Sequence, residues 1–410
     1  MLEQILSMIG MKSGASSLAL MVLVACSAPQ KAANLEPVST GTAYQAQYRD
    51  IDVSRTAAAF LTSPSMNAAK CRPAIGGDRN QKFGSGAPSS LRGELLSRGD
   101  LVAFRLPEDE TFSGDYVVSR DGTIKLPYIN PISAAGRSPS QVAASIKQAL
   151  LNDGHYDDVP LISLLVKDFA PVRVAVSGAV FEVRPTDIGG IQGDMVDGRR
   201  QAALGASTEN RNLSAAIRNA GGVRPDADLS AVRLTRAGRN YTIDLRGVIR
   251  GEHFDDVMLI TGDEVHIPSR QCFQDDLMKP SPISPPGISL YLSNLTQPAT
   301  GNAPSAIGQT VREVPYGTRF MQAVVDANCV GGARATSADR SAALFSRNPI
   351  TQVSAVIERK VEVMRARADR DDYDPYLLPG DAIACYDSGV TNIAEIGRVL
   401  GVVGAVTLIP

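Results

Sequence analysis

Tryptophan is absent from this chain, and other aromatics are sparse: 11 tyrosines and 10 phenylalanines among 410 residues. Tight sugar pockets stack aromatic faces on their ligand, so a lectin-like site is disfavoured. Histidine occurs only as His155, His253 and His266, and the cysteines (Cys26, Cys71, Cys272, Cys329, Cys385) form no C-x-x-C pair. Metal-ligand spacing is therefore missing, and neither a zinc nor an iron site is expected. No G-x-S-x-G and no P-loop is present. The formal net charge is −2 and no basic stripe stands out, which gives nucleic acid nothing to bind. Acidic clusters at Glu108-Asp109-Glu110, Asp255-Asp256, Asp275-Asp276 and Asp371-Asp372 sit in turn-like contexts and read as solvated. A glycosidase needs two carboxylates facing across a cleft, which such clusters do not supply. No catalytic residue and no cofactor is expected, and the protein reads as a non-enzyme.

What is present begins with an address. Lys12 precedes an uncharged run, 13–25, whose apolar part is Leu18-Ala19-Leu20-Met21-Val22-Leu23-Val24. That is too short to cross a bilayer and has the layout of a secretory signal. Its end, Leu23-Val24-Ala25-Cys26, resembles the lipobox of bacterial lipoproteins. The resemblance implies cleavage between Ala25 and Cys26 and lipid attachment at Cys26. Ser27 follows, with no aspartate to suggest inner-membrane retention, so outer-membrane lipid is the expected anchor. Residues 1–10 carry Glu3 and lengthen the leader, and Met11 would be a more usual start than Met1. From 26 to about 95 the chain is rich in Ala, Ser, Gly and Pro and reads as a tether.

The stretch 96–170 has the pattern of a compact α+β unit. Gly99-Asp100 opens it, and Asp121-Gly122 sits between Tyr116/Val118 and Ile124/Leu126, a hairpin signal. Ser138-Pro139-Ser140-Gln141 has the form of a helix start, followed by Val142, Ile146, Ala149 and Leu150 on one face. Leu161 to Val166 reads as a continuous apolar strand, and Val172, Val174 and Val176 alternate in another. The ordered set Gly99, Asp100, Tyr116, Asp121, Gly122, Leu126, Pro127 and Gly136 resembles the export domain of the Wza-like outer-membrane polysaccharide export lipoproteins.

Downstream, one order of elements occurs twice. A short helix from Leu213 stops at Gly221-Gly222, a strand ends at Arg236, and Gly262-Asp263 turns into a last strand. Then a helix from Phe320 leads to Gly331-Gly332, a strand ends at Arg347, and Gly380-Asp381 turns into the closing strand. Two copies of one small unit are expected, 171–270 and 286–389. They resemble the SLBB domain, a β-grasp module that accompanies the export domain in this family. The first copy departs from that pattern in lacking Pro-Gly at Glu182-Val183-Arg184-Pro185 and in a Gly-rich insertion, 186–212. Between the copies, 271–285 contains Pro280, Pro282 and Pro285, a stiff linker. Cys329 and Cys385 lie within one copy and can pair, leaving Cys71 and Cys272; free buried thiols are the alternative.

The chain closes on 390–410, where Asn392 can cap a helix and Gly397, Gly401 and Gly404 form a small-residue stripe. Eighteen residues from Asn392 reach about 27 Å, against ~30 Å of hydrocarbon. The stretch suits either a membrane-inserted helix or one packed within a ring.

The fold class is thus α+β: a hairpin-rich export domain, two β-grasp-like (SLBB) domains and a C-terminal helix. The resemblance implies a homo-oligomeric ring (family members form octamers), polysaccharide as cargo, and an inner-membrane polysaccharide co-polymerase as partner. Such a ring would carry capsular, exo- or holdfast-type polysaccharide through the periplasm and outer membrane. The alternative is a periplasmic adaptor or saccharide-binding lipoprotein serving a separate β-barrel pore.

Overall fold

In the computed structural model, the structure describes residues 70–77, 87–107, 109–189, 210–294, 311–327, 329–330, 340–366 and 373–386. The chain divides into two compact units, Asn67–Pro286 and Gly287–Pro410 together with Met1–Met66. Small sheets and short helices alternate throughout, an α+β architecture.

The first unit begins with strands β1 (Leu101–Arg105) and β2 (Gly114–Val117), then the two-residue strands β3 (Thr123–Ile124) and β4 (Ile132–Ser133). Helix α1 (Pro139–Asn152) follows, and β5 (Ser163–Asp168) completes a three-stranded antiparallel sheet of order β2-β1-β5. Helix α1 starts where its capping residues direct. Gln141 N–H donates to Ser138 Oγ at 3.3 Å, and Ser138 N–H donates back to Gln141 Oε1 at 3.0 Å. Proline at the first turn has no amide hydrogen to lose there. Val142, Ile146 and Leu150, one helical repeat apart, are fully buried against Val102, Phe104, Val118 and Ile124. Each such side chain contributes roughly 1.5–3 kcal/mol through burial.

The expected hairpin through Asp121-Gly122 is not formed. Tyr116 lies in β2, which pairs with β1, whereas Ile124 lies in β3, which pairs with β4. The turn passes the chain from one sheet to the other. Asp121 accepts the Thr123 N–H and hydroxyl at 3.1 and 2.7 Å, and Val118 and Ile124 both enter the core. The strand expected at 161–166 is shifted to 163–168, leaving Leu161 exposed.

Next come β6 (Val172–Gly178), β7 (Arg184–Ile188), α2 (Leu213–Asn219), β8 (Val232–Arg236), β9 (Arg239–Ile243), the short α3 (Arg246–Arg250) and β10 (Glu264–Ile267). They build a five-stranded sheet of order β7-β6-β10-β8-β9, in which only the central β6–β10 pairing is parallel. A parallel pair needs a crossover, and the intervening α2 supplies its cover. Leu213, Ala216 and Ile217 of α2 pack on Val174, Val176, Val232, Leu234 and Val265.

The expected Pro-rich linker is packed onto this sheet. Ile283 is fully buried, and Val223 N–H donates to its carbonyl at 2.9 Å. Gly222 is required there, because a Cβ would stand 2.3 Å from the Pro285 nitrogen. The segments 70–77 and 87–95 are likewise held against the unit. Ile75 and Gly76 N–H groups donate to Asp228 and Ser230, and Leu91 and Leu95 are buried.

The second unit repeats the order. It runs β11 (Ile288–Asn294), β12 (Val311–Val314), α4 (Phe320–Asp326), β13 (Ser341–Arg347), β14 (Ser354–Lys360), α5 (Val361–Ala366) and β15 (Ala382–Tyr386). Its sheet order is β12-β11-β15-β13-β14, again with one parallel pair, β11–β15. Disulfides join Cys71 to Cys272 in the first unit and Cys329 to Cys385 in the second.

Candidate functional site

Three Gly-Asp pairs introduce strands: Gly99-Asp100 before β1, Gly262-Asp263 before β10 and Gly380-Asp381 before β15. They share one geometry. Each glycine has positive φ (+91°, +93° and +87°), a conformation that disfavours a side chain. Each aspartate N–H donates to the carbonyl three residues earlier, on Ser97, Ile260 and Leu378. Each carboxylate in turn accepts the N–H of that same residue, at 2.6, 2.9 and 2.9 Å. All three aspartates are buried, and a buried charge is costly unless it is paired.

Their partners differ. Asp100 is bonded by Arg211 Nη1 at 2.7 Å, with both side chains almost wholly buried. Asp263 receives three bonds from Arg236, from Nε at 2.9 and 3.2 Å and from Nη2 at 2.6 Å. Asp381 has the Ser346 hydroxyl and the Leu378 N–H instead, and burial pushes its carboxyl up to about 6. Burial likewise pushes Asp100 above the ordinary range, opposed by the Arg211 charge and by N–H groups of Ser97 and Ala170.

The first two turns meet in one buried junction. Thr261 N–H donates to Ser97 Oγ at 3.0 Å, and Ala170 N–H to Asp100 Oδ1 at 2.9 Å. Arg211 Nε donates to the Leu259 carbonyl at 3.0 Å, and its guanidinium lies 5.1 Å over the Phe169 ring. Arg236 Nη2 donates to the Met258 carbonyl at 2.8 Å, and Met258 itself packs in the core of the three-stranded sheet. Gly136 also faces this place, with Ile260 Cδ1 3.7 Å from where its Cβ would be. The expected motif residues Gly99, Asp100, Gly136, Gly262 and Asp263 are thus brought together. Every carboxylate here is hydrogen-bonded within the fold, so the junction fixes the geometry of the two turns.

The other expected residues are dispersed. Tyr116 is half-buried, its ring edge-on to Phe104 and its hydroxyl donating to the Phe112 carbonyl at 2.7 Å. Asp121 is exposed, and hydrogen bonds from Thr123 hold its carboxyl at about 2. Leu126 is in the core while Pro127 faces solvent. Gly221 and Gly222 end α2 at positive φ. Cys26, Gly331, Gly332 and the stretch 390–410 lie outside the described residues, as do Glu108, Asp371 and Asp372. The remaining acidic clusters are not simply solvated: Asp256 caps α2 through Ser214, Asp255 accepts the Ala87 N–H, and Asp275 is buried. Among the described residues no group of His, Cys, Asp or Glu could hold a metal ion.

Sequence reasoning missed Arg211 and Arg236. Arg236 ends the alternation Val232/Leu234/Arg236, an inward position that pointed to a buried charge. Arg211 carries no such periodic signal.

Comparison with known proteins fits the geometry. Residues 90–167, the three-stranded sheet with α1, match the family described as "Polysaccharide biosynthesis/export protein". This chain carries a polysaccharide export domain. The EPS I polysaccharide export outer membrane protein EpsA of Ralstonia nicotianae is 25% identical over 195 residues. Its namesake in Ralstonia solanacearum is also 25% identical over 195 residues. In each case the match spans 46% of this chain and 46% of the relative, less than half of either. The export domain ends just before β6, so the junction at Asp100 and Arg211 joins it to the five-stranded sheet that follows.

Proposed function

We propose that this protein exports polysaccharide across the outer membrane, as a lipid-anchored subunit of a ring-shaped conduit. The observation that carries this reading is the export domain at 90–167, seated on a repeat sheet through the buried Asp100–Arg211 ion pair and the Thr261–Ser97 hydrogen bond. Rigid seating suits a wall element, which must hold shape while a hydrated polymer passes. Sparse aromatics and balanced charge suit a passage that binds weakly. In this reading Cys26 is the lipidated residue and the two five-stranded sheets are SLBB-type modules. An inner-membrane co-polymerase would deliver a capsular, exo- or holdfast-type polymer, and the turn-forming carboxylates would do no chemistry.

The test is genetic and physical together. Deletion of the gene should abolish surface polysaccharide, and the wild-type chain should restore it while Cys26→Ser does not. Detergent-extracted protein should form rings in negative-stain micrographs. Surface polysaccharide unchanged by deletion would sink the reading. Normal export by a chain lacking 390–410 would move the exit from this protein to a separate pore.

A further inference from the structure

The outer face of the second repeat sheet carries an apolar row that its sister sheet lacks. In register across adjacent strands lie Tyr291 of β11, Ala382 of β15, Phe345 of β13 and Val356 of β14. Tyr291, Phe345 and Val356 are 52%, 46% and 64% exposed. The Gly-Asp turns align the two sheets, so the corresponding row of the first is Ala175, Glu264, Thr235 and Asn240. That row is polar, and the Thr235 hydroxyl donates to Asn240 Oδ1 at 2.7 Å. One topology thus presents opposite chemistry at matched positions. Exposed aromatics on a strand face are not needed to fold this sheet, since the sister sheet folds without them.

The shape of the row decides what it fits. It is one residue wide, and its exposed area is of the order of 300 Å², taking about half of each aromatic side chain as open. A stable protein interface needs roughly 800 Å² from each partner. Exposed polar side chains lie beside it on the same face: Ser289, Arg347 and Ser354 along one edge, Glu358 along the other. Tyr291 and Phe345 are two strands apart, about 9.6 Å, a length on the scale of two linked sugar rings. A narrow apolar track rimmed by hydroxyl, guanidinium and carboxylate groups matches a glycan chain. Sugar rings offer C–H faces to the aromatics, and their hydroxyls meet the rim. The row itself carries no charge, which complements the uncharged face of a sugar ring.

We infer that the Tyr291–Ala382–Phe345–Val356 row is a contact track for a polysaccharide chain. The inference rests on the export reading for its choice of ligand, but it concerns a surface outside the export domain. Two half-exposed aromatics give weak, exchangeable binding, as movement along a wall requires.

The experiment uses the full chain and oligosaccharides obtained by partial hydrolysis of the producing cells' own surface polysaccharide. Calorimetric titration and tyrosine fluorescence would follow binding to wild type and to a variant carrying the sister row: Tyr291→Ala, Ala382→Glu, Phe345→Thr and Val356→Asn. Sedimentation velocity would follow the oligomeric state of both. Binding weakened about tenfold or more in the swapped variant, with unchanged sedimentation and circular dichroism, is the expected result. The single exposed change Phe345→Ala should weaken binding in the same direction, and it covers the case in which the fourfold swap fails to fold. Equal affinity in wild type and Phe345→Ala, or no binding to wild type at all, would overturn the inference while export by the wild-type gene keeps the broader reading intact. Loss of self-association in place of glycan binding would make the row an interface between copies and overturn it as well.

Discussion

The two five-stranded sheets share strand order, one parallel pair and the same Gly-Asp clamp, yet the first holds arginines where the second holds hydroxyls. Arg236 faces Asp263 in the first sheet, and Ser346 faces Asp381 in the second, at the same step of the register. Arg211 gives its carbonyl to Leu259 N–H, and Thr318 gives its carbonyl to Leu377 N–H, just before α2 and α4 respectively. Thr261 donates an N–H to Ser97, whereas the matching Pro379 has none to give. These differences gather at the junction with the export domain. A fold that needs only the clamp to close its turn acquires an ion pair within the sheet, Arg236–Asp263, and a second, Arg211–Asp100, that grips another domain. The second sheet keeps the clamp alone and carries its distinctive side chains on the outer face.

The largest expected effect comes from breaking that grip. Arg211→Met leaves Asp100 buried and unpaired, and should destabilise the first unit by about 3–5 kcal/mol in urea unfolding. Adding Asp100→Asn should recover part of the loss, since it removes the lone buried charge and keeps an oxygen for a backbone N–H of the clamp. Failure of the double variant to recover would mean that Arg211 acts through the bonds it donates to the Leu259 carbonyl at 3.0 Å and the Ala170 carbonyl at 3.4 Å.

A smaller effect separates the sheets by pH. The Asp381 carboxyl is raised from 3.8 to about 6, so the folded second unit binds a proton more tightly than the unfolded chain. That contribution is fully present below about pH 4 and is lost as pH rises through 6, amounting to roughly 2–3 kcal/mol. Hydrogen exchange of β15 across pH 4–7 should show the loss, and Asp381→Asn should flatten the profile. Ser346→Arg should also flatten it by supplying the first sheet's partner. A profile unchanged by both substitutions would show that Asp381 is not its source.

The smallest effect concerns what the sheets have in common. Gly262 and Gly380 have matching φ and open space where a Cβ would go, so strain alone opposes alanine. Gly262→Ala and Gly380→Ala should each cost about 1–2 kcal/mol in thermal unfolding. Unequal costs would show that the two clamps differ despite their common geometry.

Much of this was legible locally. The Ser138 cap, the α1 stripe and the duplicated order of helix, strand and Gly-Asp turn depend on neighbours a few residues apart, which periodicity and capping chemistry expose. The Asp121-Gly122 turn was legible too, but not what it joins, because strand pairing depends on partners outside the turn. Cysteine content left the pairing open, and bonds spanning 201 and 56 residues were settled by the fold.

By itself the sequence determined the α+β class, the repeat and the residues at each turn, since those follow from backbone preferences and short-range hydrogen bonds. Only the tertiary structure decided that Asp100 meets an arginine 111 residues away, that Asp381 meets none in the equivalent place, and that Tyr291, Phe345 and Val356 fall into one row. The physical reason is register. A strand's own pattern says which side chains share a face, but which strands lie side by side is fixed by packing between distant segments.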